Sequence, residues 1–264
     1  LYNCFKTKFS KKSMIENISA VIITKNACKT MTNTLESLRD FKEVIVFDSG
    51  SIDGTLEIIK NYPNVELHQG DFHGFGAAKN HAINLASNDW IFSLDADEIL
   101  SKDLSIHLNE IDLESKLIGE VQRKNFFMGK EITTAGWGRD MIIRLFNRKE
   151  FCFSDLKVHE KVEIDSSAKK VLLNGSLIHL AINDLSETLE KANLYSELYA
   201  KENNTLYPIF IILFKAKYAF IRTYFFQKGF LAGWRGFVLA VANSIGVFYK
   251  YIKIYVKHNQ NIKK

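Results

Sequence analysis

The sequence predicts an α/β fold, a mostly parallel sheet with helices on both faces, followed by C-terminal amphipathic helices. Three observations carry that reading. Between residues 18 and 100, short β-branched runs alternate with helical segments at close spacing, which is the trace a parallel sheet with crossover helices leaves. Acids stand at the ends of two of those runs. From residue 206 onward the chain turns apolar, aromatic and basic.

The elements follow in order. "ISAVIIT" (18–24) reads as a buried strand, and a helix is expected over about 31–40. "EVIVFD" (43–48) is the second strand; "SGSIDGT" then turns the chain into a helix reaching about residue 61, with Ser51 or Asp53 able to cap it. "VELHQ" (65–69) is the third strand, "GFGAAKNHAINLAS" a loop and helix, and "WIFSL" (90–94) the fourth strand. Ser101 is expected to cap another helix. Mixed strands are expected over about 117–123, 141–147, 157–164 and 171–180, then a helix over 186–203. Three segments result: a basic N-terminal extension (1–17), an α/β domain (18–203) and a basic, aromatic helical region (204–264).

Composition narrows the class. The 264 residues are 47% hydrophobic, enough for a sizeable core, and contain only 2 prolines. Cys4, Cys28 and Cys152 are scattered and form no C-x-x-C pair, so a reducing compartment is expected rather than a disulfide framework or Cys-based zinc site. Residues 1–13 hold four lysines and no secretory apolar core, so no signal peptide is expected there.

The acids suggest chemistry. In an open parallel sheet, ligands bind outside the carboxyl ends of the strands. Asp48 ends the second strand, and Asp95, Asp97 and Glu98 follow the fourth. Asp95 and Asp97 lie two apart on an extended exit, so they project similarly. Such a pair can share a divalent cation, or one acid can take the metal and the other a ligand hydroxyl. Hard oxygen donors with few companions suit Mg²⁺ or Mn²⁺ bridging a diphosphate. The plain alternative is a solvated acidic turn capping the next helix. "GFGAAK" is not a dinucleotide fingerprint: it follows the third strand, and Lys79 stands where the third glycine belongs.

"AVIITKN", "VIVFDSGSIDGT", "GFGAAKNHAI" and "WIFSLDADE", in that order and spacing, resemble family 2 glycosyltransferases with the GT-A fold. Later pieces, "GWGRDMIIRLFNR", "VHEKV" and "SLIH", look like a subgroup near the bacterial lipopolysaccharide core glucosyltransferases. The resemblance implies a Rossmann-like fold, a nucleotide-sugar donor and inverting transfer. It sets Thr24, Lys25 and Asn26 against the base and ribose, Asp48 on the base or ribose, and Lys79 and Asn80 at the opening of a helix facing the phosphates. Asp97 becomes the metal ligand, with His179 completing the coordination, and Asp95 touches the ribose or the metal through water. Glu160 is the candidate general base, where the family's acid pair is replaced here by His-Glu; Asp155 is the other acid within reach of that role. His159 would position the acceptor, and Trp137, Arg139 and Arg144 would form a sugar or acceptor wall.

The tail is the second signal. The net charge is +5, yet no Asp or Glu occurs from residue 203 to the end, where ten of the 35 basic residues lie. The remaining 25 basic residues face 30 acids, so a mildly acidic body carries a basic tail. Its longest uncharged run, 236–249, is 14 residues, short of the roughly 20 that span a bilayer. Regular basic residues flanked by aromatics suit helices lying in an anionic membrane interface; a helical hairpin packed on the catalytic domain, or a dimer contact, is the alternative. Nucleic acid fits poorly because so much of the tail is aliphatic.

The expected protein is an inverting, metal-dependent hexosyltransferase. It moves glucose from UDP-glucose to an inner-core sugar of lipopolysaccharide or lipooligosaccharide, peripherally bound at the cytoplasmic face of the bacterial inner membrane. The alternatives are transfer to a polyprenyl phosphate or other surface-glycan acceptor, and a non-catalytic nucleotide-sugar-binding scaffold.

Overall fold

A computed structural model describes residues 14–154 and 160–262. In chain order the elements are β1 (Ile18–Thr24), α1 (Cys28–Glu36), β2 (Glu43–Asp48), α2 (Thr55–Ile59), β3 (Val65–Gln69), α3 (Phe75–Leu85), β4 (Trp90–Asp95), β5 (Glu98–Leu100) and α4 (Lys102–Glu110). There follow β6 (Leu117–Phe127), β7 (Lys130–Glu131), β8 (Asp140–Asn147), β9 (Lys169–Ile182), α5 (Leu185–Glu202), α6 (Ile209–Ile221) and α7 (Trp234–Ile262). The sheet order is β3-β2-β1-β4-β8-β6-β9-β5, with β7 paired to β6.

Two compact units emerge, each discontinuous in sequence. One contains residues through 96 together with 100–121 and 143–175; the other contains 97–99, 122–142 and everything from 176 on. The region expected as a separate segment from 204 therefore falls in one unit with the end of β9 and α5.

The first unit holds the parallel half of the sheet, in which β1 pairs in parallel with β2 and β4, and β2 with β3. The inner strands β1, β2 and β4 are nearly unbroken in their burial, as strands covered on both faces must be, whereas the edge strand β3 is only partly buried. Val21, Ile45, Ile91 and Phe146 from the strands pack with Ala78, Ala82 and Ile83 of α3. The small side chains on α3 let the helix approach the strands closely. β4 pairs antiparallel with β8 through Phe92 and Leu145, which ends the parallel order.

The second unit has its own core, in which Phe127, Ile132, Ala135, Ile182 and Leu239 pack together. Its α6 ends in a π-helical turn, Arg222–Phe226, followed by a 3₁₀ turn, Gly229–Ala232, and the 29-residue α7.

Several boundaries differ from the sequence expectations, for identifiable reasons. The first helix occupies Cys28–Glu36 rather than 31–40, because backbone N–H groups at its start are taken up by Asp53 and Thr55. Gly54, at φ 89°, caps α2; a side chain at that φ is strained, and Asp53 serves the helix from just outside by accepting from Thr55 N. Ser101 does cap α4, its Oγ accepting from Leu104 N at 3.3 Å. No regular strand forms over the described part of 157–164. Glu160 is irregular, and Val162 makes only an isolated bridge with Phe153.

Candidate active site

Strand addition reverses between β1 and β4, because β2 and β3 lie on one side of β1 and β4 on the other. The register sets Ile23 beside Asp95 and Thr24 beside Asp48. Three strands thus deliver Thr24, Asp48 and Asp95 to one carboxyl edge at a topological switch point, where open α/β sheets bind ligands. Thr24 is buried, and its Oγ1 has no hydrogen-bond partner among the described residues. A buried hydroxyl without a partner is uncommon and calls for an explanation.

Asp48 is fully buried and turned into its own loop. Its Oδ1 accepts from the backbone N–H groups of Gly50 and Ser51 at 3.0 and 2.9 Å and from Gln69 Nε2 at 3.4 Å, while Oδ2 accepts from Ser51 Oγ. This is the acid expected at the base or ribose, and these partners come from its own turn and from β3. The carboxylate organises the turn that follows β2. Asn26, at φ 54°, ties that turn to the end of β1: its N–H donates to Ser51 Oγ and its Oδ1 accepts from Ile52 N. Lys25 is exposed.

Asp53 makes a second tie between the same two loops. It accepts from Cys28 N at 3.1 Å and from both N and Oγ1 of Thr55 at 3.2 and 2.5 Å. Burial acts to raise its pKa, but the bonds from Thr55 and Cys28 outweigh it and bring the carboxyl down to about 2.

The centre of the first unit's edge is a buried ion network. Lys79 is the fifth residue of α3, only 3% exposed, and does not open the helix as expected. Its Nζ lies 2.9 Å from Asp95 Oδ1 and 2.8 Å from Glu160 Oε1, and 5.0 Å from the Phe153 ring centroid. Arg144, on β8 and 5% exposed, reaches Asp95 Oδ2 at 2.7 Å. Burial pushes the Asp95 carboxyl up, yet Arg144 and then Lys79 hold it well below the usual carboxylate range. Each Asp95 oxygen faces one cation. Asp95, expected at the ribose or a water-bridged metal, is thus held by two cations, and Arg144, expected in a sugar or acceptor wall, is buried against it. Asn80 clamps the backbone of Phe153, donating to its carbonyl at 2.8 Å and accepting from its N–H at 2.9 Å. Its amide thus holds the segment that bridges to Val162, two residues beyond Glu160.

The turn after β4 is pinned from α1. Thr30 Oγ1 and Thr34 Oγ1, one helical turn apart on a buried face, both donate to the Ala96 carbonyl at 2.8 and 3.0 Å. A carbonyl has two lone pairs and both are used. The residue between the two acids of "DAD" is thereby fixed.

In the second unit, His179 Nε2 lies 3.4 Å from Asp97 Oδ2, and Lys191 Nζ is 3.8 Å from the same oxygen. His179 Nδ1 is 2.6 Å from Asn125 Oδ1. The Asn125 amide cannot be reversed, because its Nδ2 donates to Asp140 Oδ2 at 3.0 Å and a carboxylate only accepts. Nδ1 of His179 therefore carries the proton, and in the neutral ring Nε2 keeps its lone pair toward Asp97. Asp140 is held in turn by Arg123 Nε at 2.7 Å, and Arg123 also meets the fully buried Glu98 at 3.2 Å.

The profile of the family described as "Glycosyl transferase family 2" matches residues 19–155, just over half of the chain. The chain belongs to that family. Among curated relatives, the lipopolysaccharide core biosynthesis glycosyltransferase LpsC of Rhizobium meliloti (strain 1021) is 28% identical over 251 residues, covering 91% of this chain and 93% of the relative. An uncharacterized glycosyltransferase of Rickettsia typhi is 26% identical over 255 residues, covering 91% and 87%. Among solved structures, residues 1–349 of S. aureus TarS in complex with UDP align with a TM-score of 0.44 at 16% identity, covering 92% of this chain and 91% of that one.

As a family 2 glycosyltransferase with the GT-A architecture, the chain is an enzyme. Among the described residues no group of three or more His, Cys, Asp or Glu is arranged to hold a metal. Asp97 and His179 form a pair, one carboxylate and one imidazole with its lone pair presented. That donor set fits a cation that draws its remaining ligands from phosphate and water, as Mg²⁺ and Mn²⁺ do. Trp137 packs edge-on against Phe127 in the second unit's core, and Arg139 is exposed. His159 and Asp155 lie outside the described residues. Sequence reasoning passed over Thr30, Thr34, Arg123, Asn125 and Asp140. A polar "RKN" run inside an otherwise apolar strand was the available signal for two of them.

Proposed function

We propose that this family 2 glycosyltransferase transfers a hexose, glucose from UDP-glucose, with inversion to an inner-core sugar of lipopolysaccharide or lipooligosaccharide. One observation supports the chemistry most: the buried Lys79 ammonium gathers Asp95, at the end of β4, and Glu160, 81 residues beyond the lysine, within 2.9 Å. The proximity of Glu160 to Asp95, the first acid of the D-x-D motif, supports its reading as the base. The relative named for lipopolysaccharide core biosynthesis, similar over nearly its whole length, supports the acceptor class.

Glu160 takes the proton of the acceptor hydroxyl as its oxygen attacks the anomeric carbon. The new glycosidic bond forms on the face opposite the departing nucleoside diphosphate, which leaves with the electron pair of the broken C–O bond. Thr24 and the loops tied by Asn26 and Asp53 receive the nucleoside, and Lys79 and Arg144 fix Asp95. Asp97 and His179 would hold a Mg²⁺ or Mn²⁺ ion, which supplies positive charge for the diphosphate leaving group when bound. A lipid-linked acceptor sets the reaction at the cytoplasmic face of the inner membrane.

The test is donor hydrolysis across UDP- and GDP-sugars, with Mn²⁺ or with chelator, followed by transfer to core oligosaccharide or to polyprenyl phosphate. Metal-dependent UDP-glucose turnover and transfer to the core sugar is expected. Turnover unaffected by chelator would overturn the Asp97 and His179 assignment, and transfer only to polyprenyl phosphate would overturn the acceptor. Nucleotide binding with no turnover of any sugar would leave a scaffold.

A further inference from the structure

The outward side of α6 is built the wrong way round for a helix facing water. Its buried side, Ile212, Ala216 and Ala219, is apolar. The opposite side carries Ile209, Phe210, Leu213, Phe214 and Tyr218, all exposed, with only Lys217 among them. Phe210 is 68% exposed and Phe214 66%. A helix apolar on every side belongs in a core or in lipid. The turn that follows continues the surface with exposed Phe225, Phe226 (70%), Phe230, Leu231 and Trp234. Lys217, Arg222 and Lys228 are exposed among these rings, and the sequence has no acid from residue 203 to its end.

Charge decides between two occupants. A second copy of this surface would bring like charges together with no carboxylate of the same segment to offset them. An anionic lipid surface is complementary, each nearby Lys or Arg adding to the attraction while the rings enter the headgroup and acyl boundary.

The depth also follows from the contacts. Counting the 14-residue uncharged run understated α7, for Trp234–Gln260 is long and apolar enough to cross a membrane by length and composition. Yet α7 is tied along its length to its own unit. Arg235 donates to the Phe127 and Met128 carbonyls, Asn243 to Thr223 and Ser244 to the Ala216 carbonyl. Lys253 donates to Asn193 and pairs with Glu197. Crossing a bilayer alone would break these contacts and carry Lys250 and Lys253 into hydrocarbon.

We propose that the outer side of α6 and the aromatic turn at 225–234 form a monotopic docking surface for anionic lipid, with α7 remaining packed on α5 and α6 rather than spanning. This goes beyond the transferase reading and does not depend on it. The test is flotation of the full chain with vesicles of phosphatidylcholine alone or with phosphatidylglycerol, alongside Phe214→Ser/Phe226→Ser and Lys217→Glu/Lys228→Glu. All four side chains are exposed, so the variants keep the fold, checked by circular dichroism. Binding only to anionic vesicles is expected, weakened at least roughly tenfold in each double variant and released by alkaline carbonate. Equal binding by the variants, resistance to carbonate extraction, or a concentration-dependent dimer with no vesicle binding would each overturn it. Unchanged donor hydrolysis in the variants keeps this outcome separate from the transferase test.

Discussion

Replacing Asp53 with asparagine loosens the join between the loops after β1 and β2 without touching a proposed reacting group. The wild-type carboxyl sits at about 2, against an ordinary value of 3.8. Nearly two pH units at about 1.36 kcal/mol each give about 2.5 kcal/mol, and solvent screening at this half-buried position reduces that to about 1–2 kcal/mol. The sign follows from the depressed folded-state value. The contribution is fully present above the unfolded pKa near 4 and is lost as pH falls through about 2; by pH 3 roughly half is gone. Urea unfolding followed by circular dichroism at pH 7, 5 and 3 measures it. Asp53→Asn should be destabilised by about 1–2 kcal/mol at pH 7 and pH 5, with the deficit clearly smaller at pH 3. A deficit constant across that range, or none at pH 7, would refute the carboxylate as the tie.

Lys79→Met leaves Asp95 and Glu160 without their shared cation, and should cost about 2–4 kcal/mol, somewhat below the usual range for a broken buried pair because Asp95 is partly exposed. Thermal melts at pH 7 check this. Asn125→Leu removes the acceptor that fixes the His179 tautomer, so Mn²⁺ affinity should fall about 10–100-fold by titration while the melting temperature moves much less. Thr34→Val deprives the Ala96 carbonyl of one of two donors and should cost about 1–2 kcal/mol in chemical unfolding. Gly236→Ala would place a Cβ 1.7 Å from the Gly229 carbonyl oxygen, so the turn between α6 and α7 should open, and limited proteolysis should cut there faster.

The parallel half of the sheet was legible because β1, β2 and β4 are buried on both faces and so read as nearly unbroken apolar runs. Asp48, Asp95 and Asp97 were legible as acids at strand ends. What those acids touch was not. Lys79 follows two alanines and reads like a solvent lysine, and its partner Glu160 is 81 residues away. That Gln69, 21 residues on, joins Gly50 and Ser51 around Asp48 is likewise invisible to local pattern. Thr30 and Thr34 show helical spacing, but their common acceptor is a backbone carbonyl, which no side-chain pattern reveals. For α7, counting only the uncharged run stopped at Arg235 and Lys250, whereas Trp234–Gln260 taken as a whole is long and apolar enough on average despite its basic residues.

Glu160→Gln tests the central claim most directly, because it keeps the shape of the side chain and a hydrogen-bonding oxygen for Lys79 while removing the base. Transfer to the core-sugar acceptor should fall by about 10²–10⁴-fold, with UDP-glucose affinity measured by calorimetry held within a few fold of wild type. Transfer within a few fold of wild type, at unchanged donor affinity, would contradict the assignment of Glu160 and the mechanism built on it.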